Sequence, residues 1–194
     1  MNNLEATCFI IPIGFGSAIL FYLSMFVGDT ISPFTDNKTY EMEISILLLI
    51  SFLYFVMDFV LMIIRYNPRN NIYFVHHSLG IFAIMIVYFK YYYFIKYLMG
   101  YLTYELSTPF LNFSLSYHRS GISNILSKIS SLCFFISFTF VRILFGTYLS
   151  VKVISYIYSL NNQSINYLIL LPIGLQCLNY WWYSKIIAMM RKSK

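Results

Sequence analysis

Long apolar runs separated by short polar breaks dominate this chain. Six of the runs reach membrane length, at roughly 7–27, 44–64, 73–89, 97–117, 129–151 and 164–188. A helix that crosses a bilayer needs about 20 predominantly apolar residues. The pattern therefore predicts an all-α polytopic membrane protein, a six-transmembrane-helix bundle forming a single domain over 1–194 with its core at about 9–188. The third run is the shortest, and Tyr91-Tyr92-Tyr93 beside it reads as an aromatic belt at a membrane interface. No positive charge precedes the first run, where Glu5 stands instead, so that run reads as a retained helix rather than a cleaved signal peptide.

Composition agrees with this picture. Hydrophobic residues make up 59% of the chain and charged residues 10%, against about 25% charged in a soluble domain. The net charge of +6 does not indicate a nucleic-acid partner, because no soluble stretch is long enough to form such a domain. Basic residues at membrane edges instead report topology. Arg65, Arg69, Arg119, Lys128, Lys185, Arg191, Lys192 and Lys194 collect on one side of a six-span arrangement. Lys38, Lys90, Lys96 and Lys152 fall on the other side, together with Asp29, Asp36, Glu41 and Glu43. That asymmetry predicts cytosolic termini. Trp181-Trp182-Tyr183 followed by Lys185 fits a last helix emerging into the cytosol, and the Arg191-Lys192-Ser193-Lys194 tail approximates an endoplasmic reticulum retrieval signal. The glycosylation sequons at Asn37 and Asn162 then face the lumen, while a third at Asn112 lies inside the fourth run.

Ionisable residues inside apolar runs are where chemistry is expected. They are Asp58, the pair His76-His77, Glu105 and Arg142. A charge facing lipid costs about 2.5–3.5 kcal/mol on insertion scales, so it turns inward toward a partner, a cavity or a substrate path. At 1.5 Å per residue, Glu105 and Arg142 lie about 12 and 14 Å from the same face, matched in depth and opposite in charge. Asp58 lies about 10 Å from the cytosolic edge, on the side where His76 and His77 open the next span. These groups serve either as ties between helices or as the polar lining of a cavity that admits a lipid headgroup or acyl donor. Adjacent residues on a helix are about 100° apart, so His76 and His77 do not face one site together. Pro109, after Glu105, predicts a kink whose freed backbone groups Ser107, Thr108 and Asn112 can satisfy. With His118 placed in a loop beside Arg119, too few histidines cluster for a metal site, and neither metal nor cofactor is expected. Cys8, Cys133 and Cys177 match no metal spacing and imply no disulfide framework.

In order and spacing, several segments together resemble the TLC domain family, which includes ceramide synthases and translocation-associated membrane proteins. An Asp closes an aromatic-rich stretch, Phe52 to Asp58. A His-His pair opens the following helix in Val75-His76-His77-Ser78-Leu79. The segment from Glu105 to Asn112, ELSTPFLN, is similar to the family's most recognisable stretch. Phe140-Val141-Arg142-Ile143 and Leu178-Asn179-Tyr180-Trp181-Trp182 with Lys185-Ile186 complete the set. The resemblance covers about residues 9 to 188, favours the small transmembrane-protein-56-like branch and implies a TLC-type bundle.

Two departures bear on activity. Relatives carry a further membrane helix upstream. Ceramide synthases also carry two aspartates shortly before the position of Glu105, and matching back reaches Leu98 and Tyr101, where no carboxylate stands. The leading reading is therefore a lipid-binding or lipid-sensing membrane protein that influences membrane lipid composition. Its cavity would be lined by Asp58, His76, His77, Glu105, Asn112 and Arg142, with membrane lipids as partners. The alternatives are an acyl-CoA-dependent N-acyltransferase with His76 or His77 as catalytic base, and a trafficking receptor or translocation accessory that binds proteins through its loops.

Overall fold

Every regular element among the described residues is helical, as the apolar runs predict. The computed structural model describes residues 10–19, 41–66, 68, 71–121 and 125–192. The outer parts of the first apolar run, the acidic stretch carrying the Asn37 sequon, Arg69 and the last two residues of the basic tail lie outside them. The helices are α1 (Ile10–Ile19), α2 (Glu41–Ile64), α3 (Asn71–Phe89), α4 (Ile95–Leu102), α5 (Thr108–Arg119), α6 (Ile125–Phe138), α7 (Gly146–Ser159) and α8 (Leu170–Lys192). Tighter 3₁₀ turns at Tyr92–Phe94, Thr103–Ser107 and Gln163–Ile169 lead into α4, α5 and α8. A π-helical segment, Thr139–Phe145, joins α6 to α7. Among the described residues, three helices are long and apolar enough to cross a membrane: Met42–Ile64, Asn71–Phe89 and the continuous rod Ile125–Ser159.

The chain divides into two compact units, Met1–Leu106 and Ser107–Lys194. In the first, the inner face of α2 is written at helical spacing by Ile44, Leu47, Leu48, Ser51, Tyr54 and Phe55, all buried. Asp58 continues that stripe one turn later. On α3 the buried positions are His77, Ile84 and Val87. Ring contacts of Phe59 with Phe74 and of Phe55 with His77 set the two helices antiparallel. Phe55 also lies over Gly80, where an added Cβ would stand 3.4 Å from its ring. Helix α1 packs through Gly14, where an added Cβ would come within 2.9 Å of the Leu106 backbone nitrogen. Only a residue without a side chain permits that approach.

Around Pro109, where the sequence predicts a kink, the helix changes its winding. Helix α4 stops at Leu102, a 3₁₀ turn carries Thr103–Ser107, and α5 restarts with Pro109 in its first turn. Proline has no N–H to donate, and the first turn of a helix is where that loss costs least. The chain therefore changes from α to 3₁₀ winding just before the proline and resumes α winding with it. His118, expected in a loop, lies in the last turn of α5.

In the second unit, α5 packs along α6, and α7 and the π segment pack against α8. The inner stripe of α7 is Gly146, Leu149, Ser150, Val153 and Ile157. The facing stripe runs Ile165, Leu168, Gln176, Leu178, Asn179 and Ile186. Phe138, Ile143 and Ile186 form an apolar cluster covered by Phe134, Phe135, Trp182 and Tyr183. Two near-parallel ring contacts, Phe135–Tyr183 and Phe138–Tyr183, tie α6 to α8 there.

Candidate functional site

The first unit holds the acid and both histidines. Asp58 Oδ2 lies 3.1 Å from His77 Nε2, and the His77 side chain is 7% exposed against 33% for Asp58. An ionised carboxylate only accepts hydrogen bonds, so Nε2 carries the hydrogen of this contact, and in the neutral ring Nδ1 is then the lone-pair nitrogen. A carboxylate on one imidazole nitrogen orients the ring and raises the basicity of the other, the arrangement used by general bases. Aromatic rings fix the dyad from the sides. Phe55 meets His77 edge-on at 5.4 Å and His76 at 6.2 Å, and Tyr54 lies 6.2 Å from His77. The sequence expects the two histidines to face different ways, yet their rings lie 5.4 Å apart and both border Phe55. His77 is buried against Asp58, while His76 is half-buried and turns its ring 84° from that of His77.

Glu105 is in the same unit, buried within the 3₁₀ turn between α4 and α5. Its neighbours Thr103, Tyr104 and Ser107 are buried as well. Thr103 Oγ1 donates to the Gly100 carbonyl at 2.6 Å, which satisfies a group at the end of α4. Gly14 of α1 covers the peptide between Glu105 and Leu106.

Arg142 and Asn112 belong to the second unit, and both are buried. Arg142 sits in the π segment. Its Nε donates to Ser107 Oγ and its Nη2 to Thr108 Oγ1, both at 3.1 Å. The guanidinium also stacks over the Phe138 ring at 5.4 Å. The sequence predicts that these hydroxyls satisfy freed backbone groups; in the structure they also accept from the arginine. Asn112 follows Thr108 by one turn and so shares its face of α5.

Sequence reading missed the support that α8 gives this centre. Gln176 Nε2 donates to the Arg142 carbonyl and to Thr147 Oγ1, each at 3.1 Å. Thr147 Oγ1 in turn meets the Tyr180 hydroxyl at 2.8 Å. A wider π turn redirects backbone carbonyls away from the ordinary helical pattern, and such segments are frequent at functional sites. One signal was available in sequence: Gln176, Asn179 and Tyr180 recur at helical spacing in an otherwise apolar helix.

Ionisable side chains buried in helices of this length and apolarity define the class of α-helical bundle suited to a bilayer. The chain belongs to the TLC domain family: the family model of the TLC domain matches residues 6–188. It is also 47% identical over 191 residues to a TLC domain-containing protein of Acanthamoeba polyphaga mimivirus, covering 98% of this chain and 94% of that protein.

Proposed function

We propose that this TLC domain protein crosses the membrane six times, with both termini in the cytosol, in the endoplasmic reticulum or a related membrane. There it binds lipid and so influences membrane lipid composition. The observation that carries this reading is the Asp58–His77 contact on two adjoining helices of membrane length. An ionisable pair at such a depth marks a functional site by default. Asp58, His76, His77 and Glu105 supply polar groups for a headgroup in one unit, and Asn112 and Arg142 supply them in the other. The test is quantitative lipidomics of cells lacking the protein, rescued with wild type or His77→Ala at matched abundance. Correction of a lipid class by wild type alone supports the reading. A lipidome that does not change on deletion sinks it.

One observation favours a second reading, the acyl-CoA-dependent N-acyltransferase. The carboxylates of the ceramide synthase pattern are missing before Glu105, but Asp58 provides an acidic partner for His77 from the preceding helix. In that reading His77 takes the proton of an amine- or hydroxyl-bearing lipid as it attacks an acyl-CoA thioester. Microsomes from expressing cells should then acylate a long-chain base; no product at any acyl length leaves only the binding reading.

A further inference from the structure

We propose that Asn162 is a site of N-linked glycosylation. The sequence carries three Asn-X-Ser/Thr sequons, at Asn37, Asn112 and Asn162, and the motif alone does not rank them. The structure separates two of them. Asn112 is 9% exposed and lies in the middle of α5, where its amide does not reach an enzyme. Asn162 is exposed, in a run of exposed residues from Tyr158 to Ser164, just past the left-handed Asn161 (φ 46°) that reverses the chain after α7.

The side chain is also held by its oxygen end. Asn162 Oδ1 accepts from the Ser164 backbone nitrogen at 3.0 Å and from Ser164 Oγ at 2.7 Å. Both bonds engage the carbonyl end of the amide with its own sequon and make no use of Nδ2. That nitrogen is the nucleophile of the reaction. It attacks the anomeric carbon of a lipid-pyrophosphate-linked oligosaccharide and forms a C–N bond. The C–O bond to pyrophosphate breaks, the lipid pyrophosphate leaves with the electron pair, and the amide gives up one proton to a base of the transferase.

Reach is provided by the rod below it. The helix Ile125–Ser159 has 35 residues, about 52 Å at 1.5 Å per residue, against a hydrocarbon core of about 30 Å. Lys152 lies over the Tyr148 ring at 5.6 Å, an aromatic–basic pair of the kind that anchors a helix at the interface. From Lys152 to Ser159 the helix rises about 10 Å further, which lifts the turn and Asn162 clear of that edge.

This inference rests on the membrane-spanning, cytosolic-termini reading, and the experiment keeps the two apart. The full chain is expressed in eukaryotic cells with Asn37→Gln, which leaves Asn162 as the accessible sequon. Membranes are extracted at alkaline pH and blotted with and without a peptide N-glycosidase. One glycosidase-sensitive mobility step is expected. It persists in Ser164→Thr and disappears in Ser164→Ala and in Asn162→Gln. Ser164→Ala keeps the backbone bond to Asn162, so loss of the step there reports the sequon rather than a broken turn. Protein that resists extraction yet shows no step overturns the glycosylation proposal alone. Protein that is extracted overturns the membrane reading beneath it.

Discussion

Gln176 holds Arg142 by its backbone, not by its charge: the amide Nε2 donates to the Arg142 carbonyl at 3.1 Å. The same nitrogen reaches Thr147 Oγ1, so one side chain of α8 bridges the π segment and the first turn of α7. Removing a partner from a buried carbonyl costs about 1–3 kcal/mol. Gln176→Leu should therefore lower the thermal unfolding midpoint of the detergent-solubilised protein. Gln176→Glu keeps the shape but loses the donor and should lower it by a similar amount. An unchanged midpoint in both variants would show that the bridge carries no stability.

Arg142→Lys tests the guanidinium itself. A lysine amine is a single point donor and does not reproduce a planar fork that serves Ser107, Thr108 and the Phe138 face together. Loss of about 1–3 kcal/mol is expected, as for a broken set of buried hydrogen bonds to a charged group. A double-mutant cycle with Ser107→Ala measures how much of that loss the Nε contact carries. Strict additivity would remove Ser107 from the account.

At Gly14 and Gly80 the same substitution should have opposite consequences. A Cβ at Gly14 would meet backbone at 2.9 and 3.1 Å, whereas one at Gly80 would meet the Phe55 ring at 3.4 Å and beyond. Overpacking against backbone costs about 1–3 kcal/mol, so Gly14→Ala should reduce abundance and thermal stability. Gly80→Ala should be neutral or slightly stabilising, because alanine favours the helix by about 1 kcal/mol. Equal behaviour of the two would show that α1 does not pack against residues 105–106 in the folded protein.

Asp58→Asn separates orientation from charge in the dyad. The amide oxygen still accepts from Nε2–H, so the ring stays in place while its other nitrogen loses basicity. Abundance at or near the wild-type level, with failure to restore the lipid phenotype, is the expected outcome. Full rescue by Asp58→Asn would leave the carboxylate as a tie between α2 and α3 only.

Depth alone brings Asp58 to the histidine pair in the sequence; the choice of His77 comes from the structure and agrees with periodicity. Asp58 extends the stripe of Ile44, Leu48, Ser51 and Phe55, and His77 opens the inner face that Ile84 and Val87 continue. The environment of Arg142 was less legible in sequence. Depth and sign pair it with Glu105, but the hydroxyls that hold Nε and Nη2 carry no charge and so no signature of that kind. Hydropathy is also blind to the difference between α and π turns, which leaves the same residues equally apolar. The fifth run was read as 129–151, while the helix runs from Ile125 to Ser159. Polar residues such as Ser127 and Lys152 end a hydropathy window without ending a helix. Ser131 Oγ, for instance, bonds back to the Ser127 carbonyl at 2.9 Å within it. At Pro109 the sequence predicts a disturbed helix but not its kind, because a proline does not say that the turn before it winds as 3₁₀.

The π segment also acts as a phase setter. Each of its turns takes up more residues than an α turn, so it fixes the rotation of α7 about the rod axis relative to α6. Deleting one residue there, such as the exposed Phe140, would let the rod close into uninterrupted α-helix at almost unchanged length and with its halves in nearly the same rotation, because the wide turns already hold one residue more than α turns would. The Ser131 side that meets Ser114 and the Gly146–Ile157 face that packs toward α8 would both keep their mates, while the Arg142 carbonyl that Gln176 holds would return to the helical ladder. Along an α-helix a missing residue turns everything beyond it by about 100°; here the wide segment would absorb it, and only the carbonyls that it sets free would be lost.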